Sequence, residues 1–432
     1  MDLPRRLGLL DATTVVIGSM IGAGIFLKAG EIAQKLPSPW LAVSVWVVAG
    51  LLSMAGALSM AELSSRYPHS GGLYVFLREA YGDKMAYLFG WSLLSVMQTG
   101  SIAAIAAGVS QGIDELHHLT PFQSNAIAVG CIVFLSGVNI WSVRAVGAIQ
   151  VFFTVIKCGG ILVLIGGGFL STAGSLANFA PGEVPVGLAF LGAYGVCMLK
   201  ALWAYDGWIN ATFVAGEIKE PKRNLPLALG LGTLIVMLVY VATNAAYHYV
   251  LPLSEVQQAE NAATVLALHT GGAQAALLMT ALVAISTFGA LNSSILAGPR
   301  VYFAMARDRL IFAPLGAVHS SLLTPHFAIL VQAVWSVALL ALWGTFERIT
   351  DNVMFIYWLF YALGGLAVFT LRKKNTDEEI PYRTPGYPVV PLLFVLGAMG
   401  LVINTVIQSP RDSAQALGLM IIGAVFYPLL KR

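Results

Sequence analysis

Uncharged apolar stretches of about twenty residues, the length a helix needs to cross a hydrocarbon core of roughly 30 Å, recur almost without pause along this 432-residue chain. Twelve can be placed: residues 9–27, 40–63, 85–109, 124–140, 147–170 and 187–214 in the first half, and 225–250, 273–303, 327–343, 353–371, 389–407 and 414–430 in the second. With 58% apolar and 10% charged residues and a mean hydropathy of +0.79, the chain falls far below the charge content of about a quarter usual in soluble domains. Its solvent is therefore expected to be lipid, and its fold class an all-α membrane protein. No low-complexity linker or soluble insertion separates the stretches, so residues 1–432 read as a single transmembrane domain.

An even number of spans brings both termini to one side, and the positive-inside rule chooses which. With a cytoplasmic N-terminus, eighteen of the 24 Lys and Arg fall in inner segments, among them Arg5, Arg6, Arg66, Arg78, Arg307, Arg372, Lys431 and Arg432. Four fall outside, Lys28, Lys35, Arg348 and Arg411. Both termini are thus expected to be cytoplasmic, and the net charge of +3 reports topology and not a face for nucleic acid. Cys131, Cys158 and Cys197 all lie within spans and read as buried small residues. No CxxC pair or His cluster offers a metal site, and no cofactor is expected. The first span lacks a small-residue cleavage site, so it reads as a retained helix and not a signal peptide.

Two spans are interrupted. The first contains G-S-M-I-G-A-G-I-F from Gly18 to Phe26, and the sixth A-L-W-A-Y-D-G-W from Ala201 to Trp208. They lie five spans apart and enter the membrane from opposite faces, and paired interruptions of this kind point to a transporter's binding site. Unwinding a helix in lipid frees N–H and C=O groups, which is tolerated only where they face protein or a wet cavity. Amides at the start of the outer half-helix suit a carboxylate, and freed carbonyls suit an ammonium. Together these needs describe an amino acid. The competing reading of Gly18, Gly22 and Gly24 is close helix packing, since Gly18 and Gly22 have the small-xxx-small spacing. An intramembrane enzyme would need a nucleophile with a base or a metal triad, which Ser19 and Ser286 lack, and no filter motif suggests a channel.

These residues resemble the amino acid, polyamine and organocation superfamily, and within it the L-type amino acid transporters, including bacterial serine/threonine exchangers. Further matching stretches are A-E-L-S-S-R-Y-P-H-S-G-G-L-Y from Ala61, V-A-G-E-I-K-E-P from Val214, S-T-F-G-A-L-N from Ser286 and P-Y-R-T-P-G-Y-P from Pro381. The resemblance implies a five-plus-five inverted repeat of the LeuT type, over residues 9–170 and 187–371, with extra helices at 389–430. It implies that groups around Ile21, Gly22, Ala23 and Gly24 hold the substrate carboxylate, and those around Trp203, Ala204 and Asp206 its amino group. Ala23 replaces a serine common in the family, so one hydroxyl contact is missing. Trp203 matches an aromatic gate, and Tyr240 a tyrosine lining the cavity.

Lys157 lies ten residues into the fifth span, about 15 Å deep at 1.5 Å per residue. A charge at that depth costs about 2.5–3.5 kcal/mol on insertion scales and must face the bundle. The resemblance matches it to a lysine whose ammonium replaces a sodium ion, with carbonyls near Gly18 and the hydroxyl of Ser286 as partners. Asp206 either caps the inner half-helix or meets the substrate ammonium. Lys200, one turn before Trp203, departs from the family and either contacts an acidic substrate or holds the outer gate. The loop around Asp114 and His118 lacks the cysteine by which animal relatives join a heavy chain, so no disulfide-linked partner is expected. The function expected is sodium-independent exchange of small neutral L-amino acids (Ala, Ser, Thr, Cys) across the bacterial cytoplasmic membrane. The alternative is a proton-coupled symporter, accepting acidic side chains through Lys200.

Overall fold

The computed structural model describes residues 4–180, 187–343, 346–374 and 379–430; for residues 115, 143–145, 343, 346–353, 412, 419, 429 and 430 only the backbone is described. Lys431 and Arg432, two of the expected inner charges, lie outside the described residues, as does the side chain of Arg348. The described residues form helices, with no strand and one isolated bridge between Leu7 and Ile218.

The first expected span is two helices, α1 (Leu9–Met20) and α2 (Gly24–Lys35), separated by a bend. α3 (Pro39–Arg66) starts on Ser38, whose hydroxyl accepts from the Leu41 N–H, with Pro39 at the first helical position, where its missing N–H costs nothing. A short α4 (Leu73–Tyr81) follows the Gly71–Gly72 turn. α5 (Asp83–Ser92) and α6 (Gln98–His117) are joined by a π-turn over Leu93–Met97. α7 (Pro121–Trp141) begins with a capping box between Thr120 and Gln123, and α8 is Val143–Leu170.

The second half repeats the interruption. α9 (Leu188–Tyr205) breaks before α10 (Asn210–Phe213). Then come α11 (Pro221–Val250), the short α12 (Leu253–Gln258), and α13 (Ala262–Arg307), which kinks at Gly272. α14 (His326–Trp343), α15 (Phe346–Lys374), α16 (Val389–Gln408) and α17 (Pro410–Leu430) complete the chain. Ten of the helical segments are long and apolar enough to span a membrane, and shorter apolar helices at His326–Leu342 and Ser413–Pro428 stand where two further spans are expected. The first span runs on to Lys35, and Lys28 within it is a 1% exposed residue of α2 whose ammonium meets Glu31 at 2.7 Å.

The surface, like the core, carries many large apolar side chains. Leu162, Val163, Leu278, Val334 and Leu342 are each at least 60% exposed, whereas Glu62, Lys157, Asn292 and Arg300 are each 0% exposed. Apolar side chains outside and partnered polar ones inside fit a hydrocarbon solvent, and the protein is an integral membrane protein.

Loop contacts gather at two ends. At one end, the Tyr74 hydroxyl and the Arg78 guanidinium both reach Asp308 at 2.8 Å. Burial, reinforced by that carboxylate, pushes the Tyr74 phenol far above its ordinary range, so it stays a donor. Also at this end, Arg372 donates to both Glu62 oxygens at 2.7 and 2.6 Å, and the Thr384 N–H adds a third bond at 2.8 Å. The 381–388 loop is thereby pinned to α3. At the other end, Trp40 donates to the Phe179 carbonyl, Gln34 of α2 to the Gln257 carbonyl of α12, and Gln257 to the Ala33 carbonyl of α2. Removing a buried charged acceptor costs on the order of 1.5–3 kcal/mol, so Glu62→Ala is expected to lower the thermal unfolding midpoint of the detergent-solubilised protein by several degrees. An unchanged midpoint would show that this loop is not held by Glu62.

Candidate functional site

The two helix breaks face one another. Asp206 and Gly207 follow the last turn of α9, and Gly207, at φ 114°, takes a conformation that strains any side-chain-bearing residue. A Cβ there would also lie 2.7 Å from the Ser19 Cβ. Gly24, which opens α2, is equally constrained, since a Cβ would come within 2.5 Å of the Ala204 Cβ and 3.1 Å of the Trp203 ring. Gly18 instead packs on Gln150 and Thr154 of α8, and Gly22 on Ala290 of α13. The glycines thus meet three different helices, which is more than one small-xxx-small face provides.

Between the breaks lies a cavity of about 30 Å³, walled by Gly22, Ala23, Gly24, Trp203, Ala204 and Asp206, and closed by Gln98, Ser294 and Tyr357 from three further helices. This is far below the roughly 300–1,000 Å³ of a formed small-molecule pocket, so the two breaks stand close together. The start of α2 leaves the Gly24 and Ile25 amides without partners inside their own helix, at its positive end. The Ser19 hydroxyl, buried on the wall, has no hydrogen-bond partner among the described residues. Asp206 accepts from the Tyr361 hydroxyl at 2.6 Å and from the Gly207 N–H, so it takes up an amide within the break while still bordering the cavity.

The other expected residues stand behind this wall. Lys157, fully buried, donates to the Gly18 carbonyl oxygen at 3.0 Å and the Ile21 carbonyl oxygen at 2.5 Å. Ser286 donates to the same Ile21 oxygen at 3.5 Å, so it meets the lysine through a shared acceptor and not directly. Tyr240, expected to line the cavity, braces it. Its hydroxyl reaches the Met20 oxygen at 2.7 Å and the Ala204 oxygen at 3.1 Å, one carbonyl from each broken helix, and its ring packs edge-on to Trp46. Lys200 is not among the residues that line the cavity; it pairs with Glu31 of α2, which also holds Lys28.

Residues outside the sequence reading extend this frame. On α8, Gln150, Thr154 and Lys157 share one helical face, and all three reach carbonyls of α1, the first two through longer contacts of 3.5 Å to Thr14. Asn292 of α13 donates to Gln150, and Asn139 of α7 to Asn292. Gln98 donates to the Ser294 carbonyl and accepts from Tyr357. The available signal was uncharged amides inside apolar spans, which hydrocarbon does not tolerate without partners.

Comparison with known proteins agrees with this geometry. The sequence profile of the family described as Amino acid permease matches residues 7–427. The chain belongs to this family, within the amino acid, polyamine and organocation superfamily. It is therefore an amino acid transporter and not an enzyme. It is similar to the serine/threonine exchanger SteT of Bacillus subtilis, with 32% identity over 100% of this chain and 98% of that one. Human b(0,+)-type amino acid transporter 1 is 30% identical over 99% of this chain and 88% of its own length. Mouse Asc-type amino acid transporter 1 is 28% identical over 98% and 81%.

In this permease the Tyr240 hydroxyl fastens the two breaks together. Tyr240→Phe deletes that donor and leaves two buried carbonyls short, a loss of about 1–3 kcal/mol. The expected outcome is a lower unfolding midpoint without substrate and a raised KM; unchanged values for both would contradict the brace.

Proposed function

We propose that this permease is a sodium-independent exchanger of small neutral L-amino acids, alanine, serine, threonine and cysteine, working by alternating access in the bacterial cytoplasmic membrane. The observation that carries this reading is the pair of opposed breaks, with partnerless amides at the start of α2 and carbonyl-bearing ends of α1 and α9 beside them. A zwitterion's carboxylate matches the first and its ammonium the second. Small neutral substrates are supported by the small wall residues Ala204, Ala290 and Ser294, and by the engagement of Lys200 with Glu31. Sodium independence is supported by the Lys157 ammonium on the Gly18 and Ile21 carbonyls, where it serves α1 as a bound cation would.

In this reading the chain has twelve spans, with inverted repeats at 9–170 and 187–371 and extra helices at 389–430. The end bearing Arg5, Arg78 and Arg372 is cytoplasmic. It works without a disulfide-linked heavy chain, which is supported by the position of all three cysteines inside spanning helices. A proton symporter is the second reading, favoured by one observation: a titratable ammonium, that of Lys157, is fully buried beside the first break, with carbonyls and no carboxylate as its hydrogen-bond partners among the described residues.

Reconstituted in liposomes, the protein is expected to take up labelled serine only with unlabelled amino acid inside, and equally with or without sodium. Uptake into empty vesicles driven by a proton gradient would instead establish the symporter. Lys157→Ala removes the donor from the Gly18 carbonyl and leaves Ile21 only the long Ser286 contact, at about 1–3 kcal/mol, and exchange is expected to fall at least tenfold. Near-normal counterflow in that variant would remove Lys157 from the mechanism. Lys200→Ala is expected to slow serine exchange, and any glutamate exchange in the same proportion; a change in the serine-to-glutamate ratio would reassign Lys200 to substrate recognition.

A further inference from the structure

Arg300 and Glu217 form an ion pair that the substrate cavity does not use. Arg300 Nε donates to Glu217 Oε1 at 2.7 Å, Nη2 to Oε2 at 3.4 Å, and Nη1 to the Leu296 carbonyl oxygen at 2.7 Å. The side chains are 0% and 1% exposed. Desolvation cancels most of the attraction in such a pair, and apolar residues of similar volume would often stabilise the fold as well. Stability alone therefore does not account for it, and its position has to.

That position is the partition between two cavities. On α13, Ala290 and Ser294 wall the substrate cavity, while Phe303 and Ala304 wall a second cavity of about 490 Å³ at the α4 end, bordered also by Arg5, Ser70 and Arg78. Ser294 and Phe303 are separated by about 13 Å of helix, and Arg300 lies within that interval. Across from it the chain leaving the second break runs from Asn210 on the first cavity to Gly216 on the second, and Glu217 is the next residue. The Glu217 carbonyl also accepts the Arg6 and Leu7 N–H groups at 2.8 and 2.9 Å, and Lys219 N–H returns a bond to Leu7 at 2.8 Å. One residue thus fastens the lead-in to α1, the chain after α10 and the flank of α13.

We propose that the Glu217–Arg300 pair is the latch of the inner gate: it seals the substrate cavity from the cytoplasmic mouth and parts when the inner ends of α1 and α10 swing away from α13. This rests on the alternating-access reading with a cytoplasmic N-terminus. The chemistry suits a contact that must be dry in one state and wet in the other. Separated charges in an open mouth are hydrated, whereas an apolar plug would expose its surface to water on every opening. The same pair holds the closed state, because neither charge can remain buried without the other.

The test is a double-mutant cycle read by cytoplasmic-side labelling. A Ser294→Cys reporter, with Cys131, Cys158 and Cys197 replaced by alanine, is treated with a membrane-impermeant maleimide from the cytoplasmic face of oriented proteoliposomes. E217Q and R300Q are each expected to label at least about tenfold faster than the parent, since each strands one charge in the closed state. The double variant E217Q/R300Q strands none and is expected to label more slowly than either single. Parent-like rates in the singles, or single effects that merely multiply in the double, would overturn the latch. If the singles do not fold, E217D and R300K complete the same cycle with charge kept and reach altered. Labelling does not require transport, so absence of exchange by the unmodified protein would defeat the transport reading while leaving this result to be judged separately.

Discussion

A helix that stops in mid-membrane leaves its last carbonyls and the next helix's first amides without partners, and hydrocarbon supplies none. The rest of this structure is arranged around that constraint. The ends of α1 are met by Lys157 on Gly18 and Ile21, by Ser286 on Ile21 and by Tyr240 on Met20. Those donors are held in turn by α8, α13 and α11, so three distant helices are positioned by the needs of one interrupted helix. Tyr240 extends the same logic to the second break through the Ala204 carbonyl. The amides that open α2 and the wall between Trp203 and Asp206 are left facing the cavity.

Charged groups divide the labour at the two ends of the bundle. Toward α12, Glu31 between Lys28 and Lys200 binds α2 to α9, joining the two half-helices that carry the site. Toward α4, Glu217 and Arg300 bind the chain after α10 to α13. The first links two interrupted helices to each other; the second links an interrupted segment to a continuous one. That difference suits the alternating-access cycle proposed above, in which elements that move together can stay paired while those that move apart must release.

Much of this was legible in the residues. The spans were visible because lipid demands about twenty apolar residues for each crossing, and the breaks because glycines and an aspartate are out of place in such runs. Lys157 declared itself by depth. Lys200 was visible as an anomaly but not as a partner of Glu31, because that pairing joins residues 169 positions apart. The burial of Lys28 was hidden for a related reason: only the fold brings Lys200 as well as Lys28 to the Glu31 carboxylate. Tyr240 was expected in the cavity wall, and only the direction of its hydroxyl moved it behind.

The sequence by itself determined that the chain lives in lipid, where two of its helices must break, and that a cation lies deep in the fifth span. These follow from local facts, the length and purity of apolar runs and the cost of a charge or a glycine within them. The tertiary structure alone decided which donor meets which carbonyl, that the breaks close on a space of about 30 Å³, and that Glu217 and Arg300 stand between that space and the α4 end. Hydrogen-bond partnership depends on helices far apart in the chain arriving at ångström separation, and no periodicity within one helix encodes that.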